Sequence, residues 1–181
     1  MVIVFIAEGF EEIEALSCVD ILRRAKLEVL TVGIGSKTVT GSHKIAVECD
    51  ACDKDELPKT GIDMIVLPGG MPGTKNLENS QTVHDYIKLA VKNDAWLAAI
   101  CAAPSIFGHL GLLKGKRATC FPGFETELNG ADFTNAYVEC DGKIITGKSA
   151  GAAFDFALKL VECLVSQDKA NSLRASMVCR E

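Results

Sequence analysis

The sequence has little that would suit a membrane or a nucleic acid. Lysine and arginine total 19 against 24 acidic residues, which gives a net charge of −5, and the basic residues are scattered without forming a stripe. The apolar run from Met1 to Ile6 is far shorter than the roughly 20 residues of a membrane span, and no basic segment precedes it. We therefore expect no nucleic-acid partner, no membrane association and a cytoplasmic location.

Histidine is scarce, and its three positions, 43, 84 and 109, show no metal-ligand spacing. The eight cysteines, in a chain without a secretion signal, are typical of reduced thiols. Cys49 and Cys52 form a C-x-x-C, but no second pair accompanies them and four acidic residues surround them. This composition favours a solvated loop over a redox or zinc site. We expect no metal.

Patterns typical of strands and of helices alternate along most of the chain. Runs typical of buried strands cover residues 2–7, 28–32, 63–67 and 96–100. Helical patterns cover residues 11–25 and 80–92 and begin again near residues 104 and 149, whereas the last residues read as a polar tail. This alternation predicts a single α/β domain over residues 1–181, a doubly wound, mostly parallel sheet with helices on both faces.

Helical periodicity also predicts which side chains face the core. In the helix over residues 11–25, the buried face carries Ala15, Cys18, Val19 and Leu22. Glu11 falls near the centre of this face, Glu14 on its border and Glu12 on the opposite side. The helix dipole alone explains acidic residues in a first turn, but it does not explain a carboxyl directed at the core. Val91 and Phe154 are predicted to face inward in their own helices.

Cys101 falls where a buried strand changes into a helix. Residues 96–100 are all apolar, and Pro104 suits the first turn of the helix that follows. A side chain at this corner lies beside the positive end of the helix dipole, which favours thiolate over thiol. The alternative is that Cys101 is one more small buried hydrophobic residue.

Three features follow three strands and are therefore predicted to meet at one edge of the sheet. Glu11 and Glu14 follow the first strand, Gly69-Gly70 another and Cys101 a third. Together they offer a thiol nucleophile, a carboxyl that moves a proton and backbone donors for an oxyanion. A flexible turn would equally explain the two glycines. No histidine adjoins Cys101, so a conventional Cys-His pair is not visible.

At these residues the chain resembles the ThiJ/PfpI superfamily, which includes the DJ-type, parkinsonism-associated deglycases, and it is most similar to the bacterial ThiJ branch. The likeness covers nearly the whole chain and rests on residues 7–14, 66–70, 98–104, 144–147 and 154–157, together with Gly151. It implies a flavodoxin-like fold of the class I glutamine amidotransferase type and a homodimer. It also implies that Cys101 is the reactive thiol, that Glu14 hydrogen-bonds it, and that backbone N–H groups of Gly70 and Ala102 lie near the substrate oxygen.

The chain departs from this family pattern at three positions. The protease-like branch has a histidine after the cysteine, where this chain has Ala102, so the resemblance does not carry peptidase activity. Phe121 stands where the human-type branch has a histidine, which leaves proton transfer to Glu14. His43 replaces an arginine that relatives can carry near the dimer and active-site edge, and with Glu11 it is assigned a supporting role.

The resemblance predicts a cofactor-free glyoxalase or deglycase that acts on small 2-oxoaldehydes or their adducts and protects against carbonyl or oxidative stress. In the alternative hypothesis the chain is a redox sensor or protective protein whose Cys101 is oxidised to a sulfinate held by protonated Glu14. A third hypothesis is a binding or chaperone-like dimer in which Cys101 has no role.

Overall fold

Strand β1 (Val2–Ile6) lies in the middle of the fold, and all five of its residues are buried and apolar. In the computed structural model, which describes residues 1–179, alternate side chains of β1 enter two separate cores. Val2, Val4 and Ile6 join one core, and Ile3 and Phe5 join the other. The strand is therefore covered on both faces, as its unbroken apolar run predicts.

The described residues form one large sheet and two small ones. The strands are β1 with β2 (Val29–Gly33), β3 (Thr38–Thr40), β4 (Ala46–Glu48), β5 (Ala51–Cys52), β6 (Met64–Leu67), β7 (Trp96–Ile100), β8 (Arg117–Ala118), β9 (Asp132–Phe133), β10 (Val138–Asp141) and β11 (Ile144–Gly147). The large sheet has the order β10-β11-β7-β6-β1-β2-β5 and is parallel except for β10. The pairs β3-β4 and β8-β9 form the small sheets.

Helices cover both faces of the large sheet. They are α1 (Glu12–Arg24), α2 (Gly73–Glu78), α3 (Gln81–Lys92), α4 (Pro104–His109), α5 (Ala153–Leu164) and α6 (Gln167–Ser176), with 3-10 turns at Glu125–Glu127 and Ala150–Ala152. Residues of α1, α5 and α6 pack in the hydrophobic core that contains Val2. Residues of α2, α3 and α4 pack in the core on the other face, which contains Ile3. No helix within residues 1–179 is long and apolar enough to cross a membrane.

The doubly wound, mostly parallel α/β sheet predicted from the sequence is confirmed, but some details were wrong. The segment after Cys49 is not a solvated loop, because Cys49 is buried and Ala51–Cys52 adds an edge strand beside β2. The polar tail contains α6, and α2 was not predicted. Val91 and Phe154 do not face inward, because both are half exposed.

The strand order places the ends of three strands side by side. From β1 the chain moves outward to β2 and then returns to β6 on the opposite side, so the strand order reverses between β1 and β6. Strand β7 lies next to β6. The carboxyl ends of these three strands form the crevice where ligands bind in open α/β sheets.

Candidate active site

Cys101 occupies a sharp corner between β7 and α4. Its φ is +66°, in the left-handed region that costs a non-glycine residue about 1–2 kcal/mol. The surrounding backbone holds it there, because its N–H donates to the carbonyl of Gly147 (2.9 Å) and its carbonyl accepts from the N–H of Phe121 (2.8 Å). Pro104 is the first residue of α4, as the sequence predicts. Gly147, at the end of β11, was not recognised as a positioning residue because its contribution is a backbone carbonyl.

Glu14 lies in the first turn of α1 and is fully buried. Its Oε2 accepts a 2.9 Å hydrogen bond from the N–H of Gly69, and the carboxyl interacts with the Cys101 thiol. Its Oε1 is buried without a hydrogen-bond partner of acceptable geometry among the described residues. Burial, reinforced by the negative charge of Glu11, raises the pKa of Glu14 to about 7 although these contacts lower it. Near neutral pH this carboxyl therefore exists in both protonation states.

The two glycines after β6 allow the backbone to approach the cysteine closely. A Cβ atom at Gly69 would lie 2.6 Å from Cβ of Cys101 and 2.7 Å from Oε2 of Glu14. Gly70 has φ +89°, and its Cβ would lie 2.4 Å from the backbone nitrogen of Glu11. The N–H groups of Gly70 and Ala102 act on the Cys101 thiol in the direction that lowers its pKa. A flexible turn does not explain these glycines, because each position leaves no room for a side chain.

The expectation that the corner favours the thiolate form of Cys101 was wrong. Burial, followed by the charge of Glu14, raises the pKa of this thiol to about 12, and the N–H groups of Gly70 and Ala102 only partly offset the rise. Helix α4 has six residues, so its dipole is small. The carboxyl of Glu14 is the titratable group beside this thiol.

The structure corrects the predicted positions of Glu11 and Glu12. Glu11 precedes α1 and is partly buried, and its N–H donates to the carbonyl of Gly69 (2.9 Å). Glu12 is buried, because the β3–β4 hairpin folds over the side of α1 that helical periodicity assigns to solvent. Hydrogen bonds from His43 and Ile45 outweigh the effect of this burial and lower the pKa of Glu12 to about 2.

His43 lies against Glu12, with its Nδ1 2.9 Å from Oε2, and its side chain is 67% exposed. The same nitrogen is 3.6 Å from Oε1 of Glu11. The structure thus brings together Cys101, Glu14, Gly69, Gly70 and Ala102, and groups Glu11 with His43 at its margin. The catalytic and supporting roles assigned to these residues stay predictions.

The fold agrees with comparisons to known proteins. The family model for the DJ-1/PfpI family matches residues 1–163. The chain belongs to the DJ-1/PfpI family. A solved DJ-1 superfamily protein from Salmonella typhimurium superposes with a TM-score of 0.92 at 31% identity, covering 99% of this chain and 98% of that one.

Curated relatives of this DJ-1/PfpI chain carry several names. Protein DJ-1 homolog B of Arabidopsis thaliana is 35% identical over 99% of this chain, which spans only 41% of that longer protein. A Caenorhabditis elegans protein named as a glutathione-independent glyoxalase is 34% identical, and the alignment covers 92% of this chain and 89% of the relative. The family therefore includes a named glyoxalase of similar length.

Proposed function

We propose that this chain is a cysteine-dependent, cofactor-free enzyme that converts small 2-oxoaldehydes, such as methylglyoxal, to 2-hydroxy acids, and that acts in the same way on early carbonyl adducts. The observation that carries the proposal is that Cys101 and the Glu14 carboxyl meet at Gly69, where a Cβ atom would lie 2.6 Å from Cβ of Cys101 and 2.7 Å from Oε2 of Glu14. The N–H groups of Gly70 and Ala102 act on the same thiol. A nucleophile, an oxyanion site and a proton carrier thus share one crevice. The glyoxalase name of the nematode relative supports the same assignment.

The first step is addition of Cys101 to the aldehyde carbon. Because the thiol is held protonated by its buried site, the Glu14 carboxylate accepts its proton as the carbon–sulfur bond forms. The developing negative charge on the aldehyde oxygen is stabilised by N–H donors such as those of Gly70 and Ala102. Glu14 then passes the proton to this oxygen. The product is a hemithioacetal, and Glu14 is again a carboxylate.

The second step moves a proton between adjacent carbons. The Glu14 carboxylate removes the proton from the former aldehyde carbon, and the hydroxyl proton on that carbon passes to the neighbouring carbonyl oxygen. Glu14 then returns its proton to the neighbouring carbon, which converts the hemithioacetal into a thioester. Water then cleaves the thioester, releasing the 2-hydroxy acid and restoring the thiol. The pKa of Glu14, about 7, suits a group that must both accept and donate at neutral pH.

The test is lactate formation from methylglyoxal in the absence of glutathione. Wild-type protein should show saturable turnover, and both Cys101→Ser and Glu14→Gln should lower kcat by at least about 100-fold, the range expected for loss of a proton-transfer group. Cys52→Ser is the matched control, because it makes the same chemical change at a half-buried thiol on β5. It should retain the wild-type rate. Equal, slow rates in wild type and Cys101→Ser would contradict the proposal.

The contact between Cys101 and Glu14 also supports a second candidate function, that of a redox sensor. Peroxide would oxidise the thiol to a sulfinate, consuming two peroxide molecules and releasing two water molecules. Protonated Glu14 would then donate a hydrogen bond to a sulfinate oxygen. Glu14→Gln distinguishes the two functions, since its amide still donates a hydrogen bond but moves no proton. Under the sensor hypothesis this variant keeps peroxide-driven addition of two oxygen atoms, measured by intact mass, and wild type shows no saturable turnover.

We further propose that the chain acts as a homodimer in the cytoplasm. Helix α1 carries exposed apolar side chains, Ile13 (52%) and Leu16 (38%), and the nearby hairpin residue Ile45 is 53% exposed. A neighbouring copy would remove this apolar surface from water. Light scattering should give twice the mass of one chain, and Ile13→Glu should lower it towards that of a monomer. A monomeric wild type would contradict this part of the proposal.

A further inference from the structure

A cluster of three potential metal ligands lies at the start of α1, beside the catalytic crevice. Glu11 and Glu12 come from the helix start, and His43 comes from the tip of the β3–β4 hairpin, about 30 residues later in the chain. One ligand atom from each residue lies within 4.8 Å of the other two. Among residues 1–179 this is the only such group of histidine, cysteine and acidic side chains. The sequence did not reveal it, because the ligands come from two separate segments.

The separations between the ligand atoms are close to those of a coordination shell. His43 Nδ1 is 2.9 Å from Glu12 Oε2 and 3.6 Å from Glu11 Oε1. Ligands placed at 2.0–2.1 Å around one tetrahedral ion lie about 3.4 Å apart. The hydroxyl of Ser42 is 3.3 Å from an oxygen of each carboxylate and completes the cluster. Small side-chain movements would therefore bring these atoms to bonding distance of one ion.

The surrounding backbone orients the central ligand. Oε1 of Glu12 accepts from the N–H groups of His43 (2.8 Å) and Ile45 (3.5 Å), which leaves Oε2 directed at the imidazole. Gly41 makes this approach possible, because a Cβ atom there would lie 2.2 Å from Glu12 Oε1. Hydrogen bonds that fix a ligating carboxylate are a general feature of metal sites. The hairpin thus holds Glu12 in place beside His43.

We propose that Glu11, Glu12 and His43 bind a divalent transition-metal ion of the zinc type. An imidazole nitrogen with two carboxylates suits Zn²⁺, whereas Mg²⁺ and Ca²⁺ prefer all-oxygen shells with more ligands. The fourth position is filled by water or by the Ser42 hydroxyl. The two carboxylates balance the charge of the ion. Binding is measured without turnover, so this proposal stands or falls independently of the glyoxalase function.

The chain contains its own matched control at His109. This ring also lies between two glutamates, but Nδ1 contacts Glu78 while Nε2 contacts Glu127. The carboxylates therefore lie on opposite edges of the ring, and one ion cannot bind all three side chains. His109 has the same residue types and the same charge as the proposed site without its geometry.

The experiment is a Zn²⁺ titration of chelator-treated, reduced protein, followed by NMR of the histidine ring protons and by calorimetry. Because the chain has only three histidines, each ring can be assigned by substitution. With one equivalent of Zn²⁺ the His43 signals should shift while those of His109 stay in place. Zn²⁺ bound at cysteine thiols would leave the His43 signals unchanged, so the NMR readout separates the two kinds of site.

Two variants complete the test. His43→Ala, at an exposed hairpin tip, should weaken the calorimetric site at least about tenfold, and His109→Ala should leave its affinity unchanged. Glu11→Gln, which keeps the size of the side chain, should also weaken binding. The proposal is overturned if the His43 signals do not respond to Zn²⁺, or if His43→Ala and His109→Ala bind it equally well.

Discussion

The N–H of Gly69 donates a 2.9 Å hydrogen bond to Oε2 of Glu14, joining the loop after β6 to the helix after β1. This bond spans the point where the strand order reverses. It fixes one carboxyl oxygen and leaves the other, Oε1, free of hydrogen-bond partners within the described chain. The contact therefore positions the carboxyl through one oxygen only.

Replacing Glu14 with Gln should change the pH dependence of stability. The folded-state pKa of Glu14 is raised from its ordinary value of 4.5 to about 7, so the folded state binds the proton more tightly than the unfolded state does. Stability from this group is fully present below pH 4.5 and is lost as pH rises through about 7. The loss is on the order of 3 kcal/mol. Glu14→Gln has no such loss.

The measurement is urea unfolding of wild type and Glu14→Gln between pH 4.5 and pH 8.5. The glutamine oxygen can accept from the N–H of Gly69 and the side chain keeps its size, so the variant should fold. Its free energy of unfolding should rise relative to wild type as pH increases, because all other titrating groups are shared. Parallel curves would show that Glu14 does not titrate with a raised pKa.

Gly69→Ala should destabilise the protein by about 2 kcal/mol, the range for inserting a methyl group into a filled site. The new Cβ would lie 2.6 Å from Cβ of Cys101 and 2.9 Å from the carbonyl oxygen of Ile100. Because these atoms belong to the corner itself, turnover should fall with stability. Gly151→Ala is the control, since its nearest atom is 3.9 Å away. Equal thermal midpoints for the two variants would contradict the close approach.

Cys101→Gly should be more stable than Cys101→Ala, although both remove the thiol. The backbone at residue 101 is left-handed, which glycine adopts without the steric cost that alanine meets. The lower entropy of unfolded alanine offsets part of this difference. We expect a net advantage of about 1 kcal/mol for glycine in urea unfolding. Greater stability of the alanine variant would mean that the corner relaxes once the sulfur is removed.

The sequence predicts most of the fold because its strong signals are local. Each signal lies within the element that it predicts, as with the apolar run of β7 and with Pro104 at the start of α4. Ser80 likewise marks the start of α3, where its side chain accepts a hydrogen bond from the N–H of Val83. The two-residue strand β5 was missed because so short a segment has no periodicity and depends on pairing with β2.

The site was predictable in its membership but not in its electrostatics. Strand order alone places Glu14, Gly69 and Cys101 at one edge. Whether the pKa of the thiol is raised or lowered depends instead on how deeply Cys101 is buried, and no local sequence pattern indicates this depth. The burial of Glu12 was missed for a related reason, because a hairpin distant in sequence covers it.

His109, the last residue of α4, should stabilise the protein more at low pH than at high pH, because two glutamates contact its ring. Hydrogen bonds to Glu78 and Glu127 raise the pKa of His109, so the folded state holds its proton more tightly than the unfolded state. The contribution is therefore full below about pH 6.5 and is lost as pH rises through the raised pKa.

His109→Gln should have a lower thermal midpoint than wild type at pH 6, and the gap between the two midpoints should narrow by pH 9. Because the ring is partly exposed, the gap should be small and should shrink in high salt. A gap that widens with pH would show that the neutral ring, and not the charged one, makes these contacts.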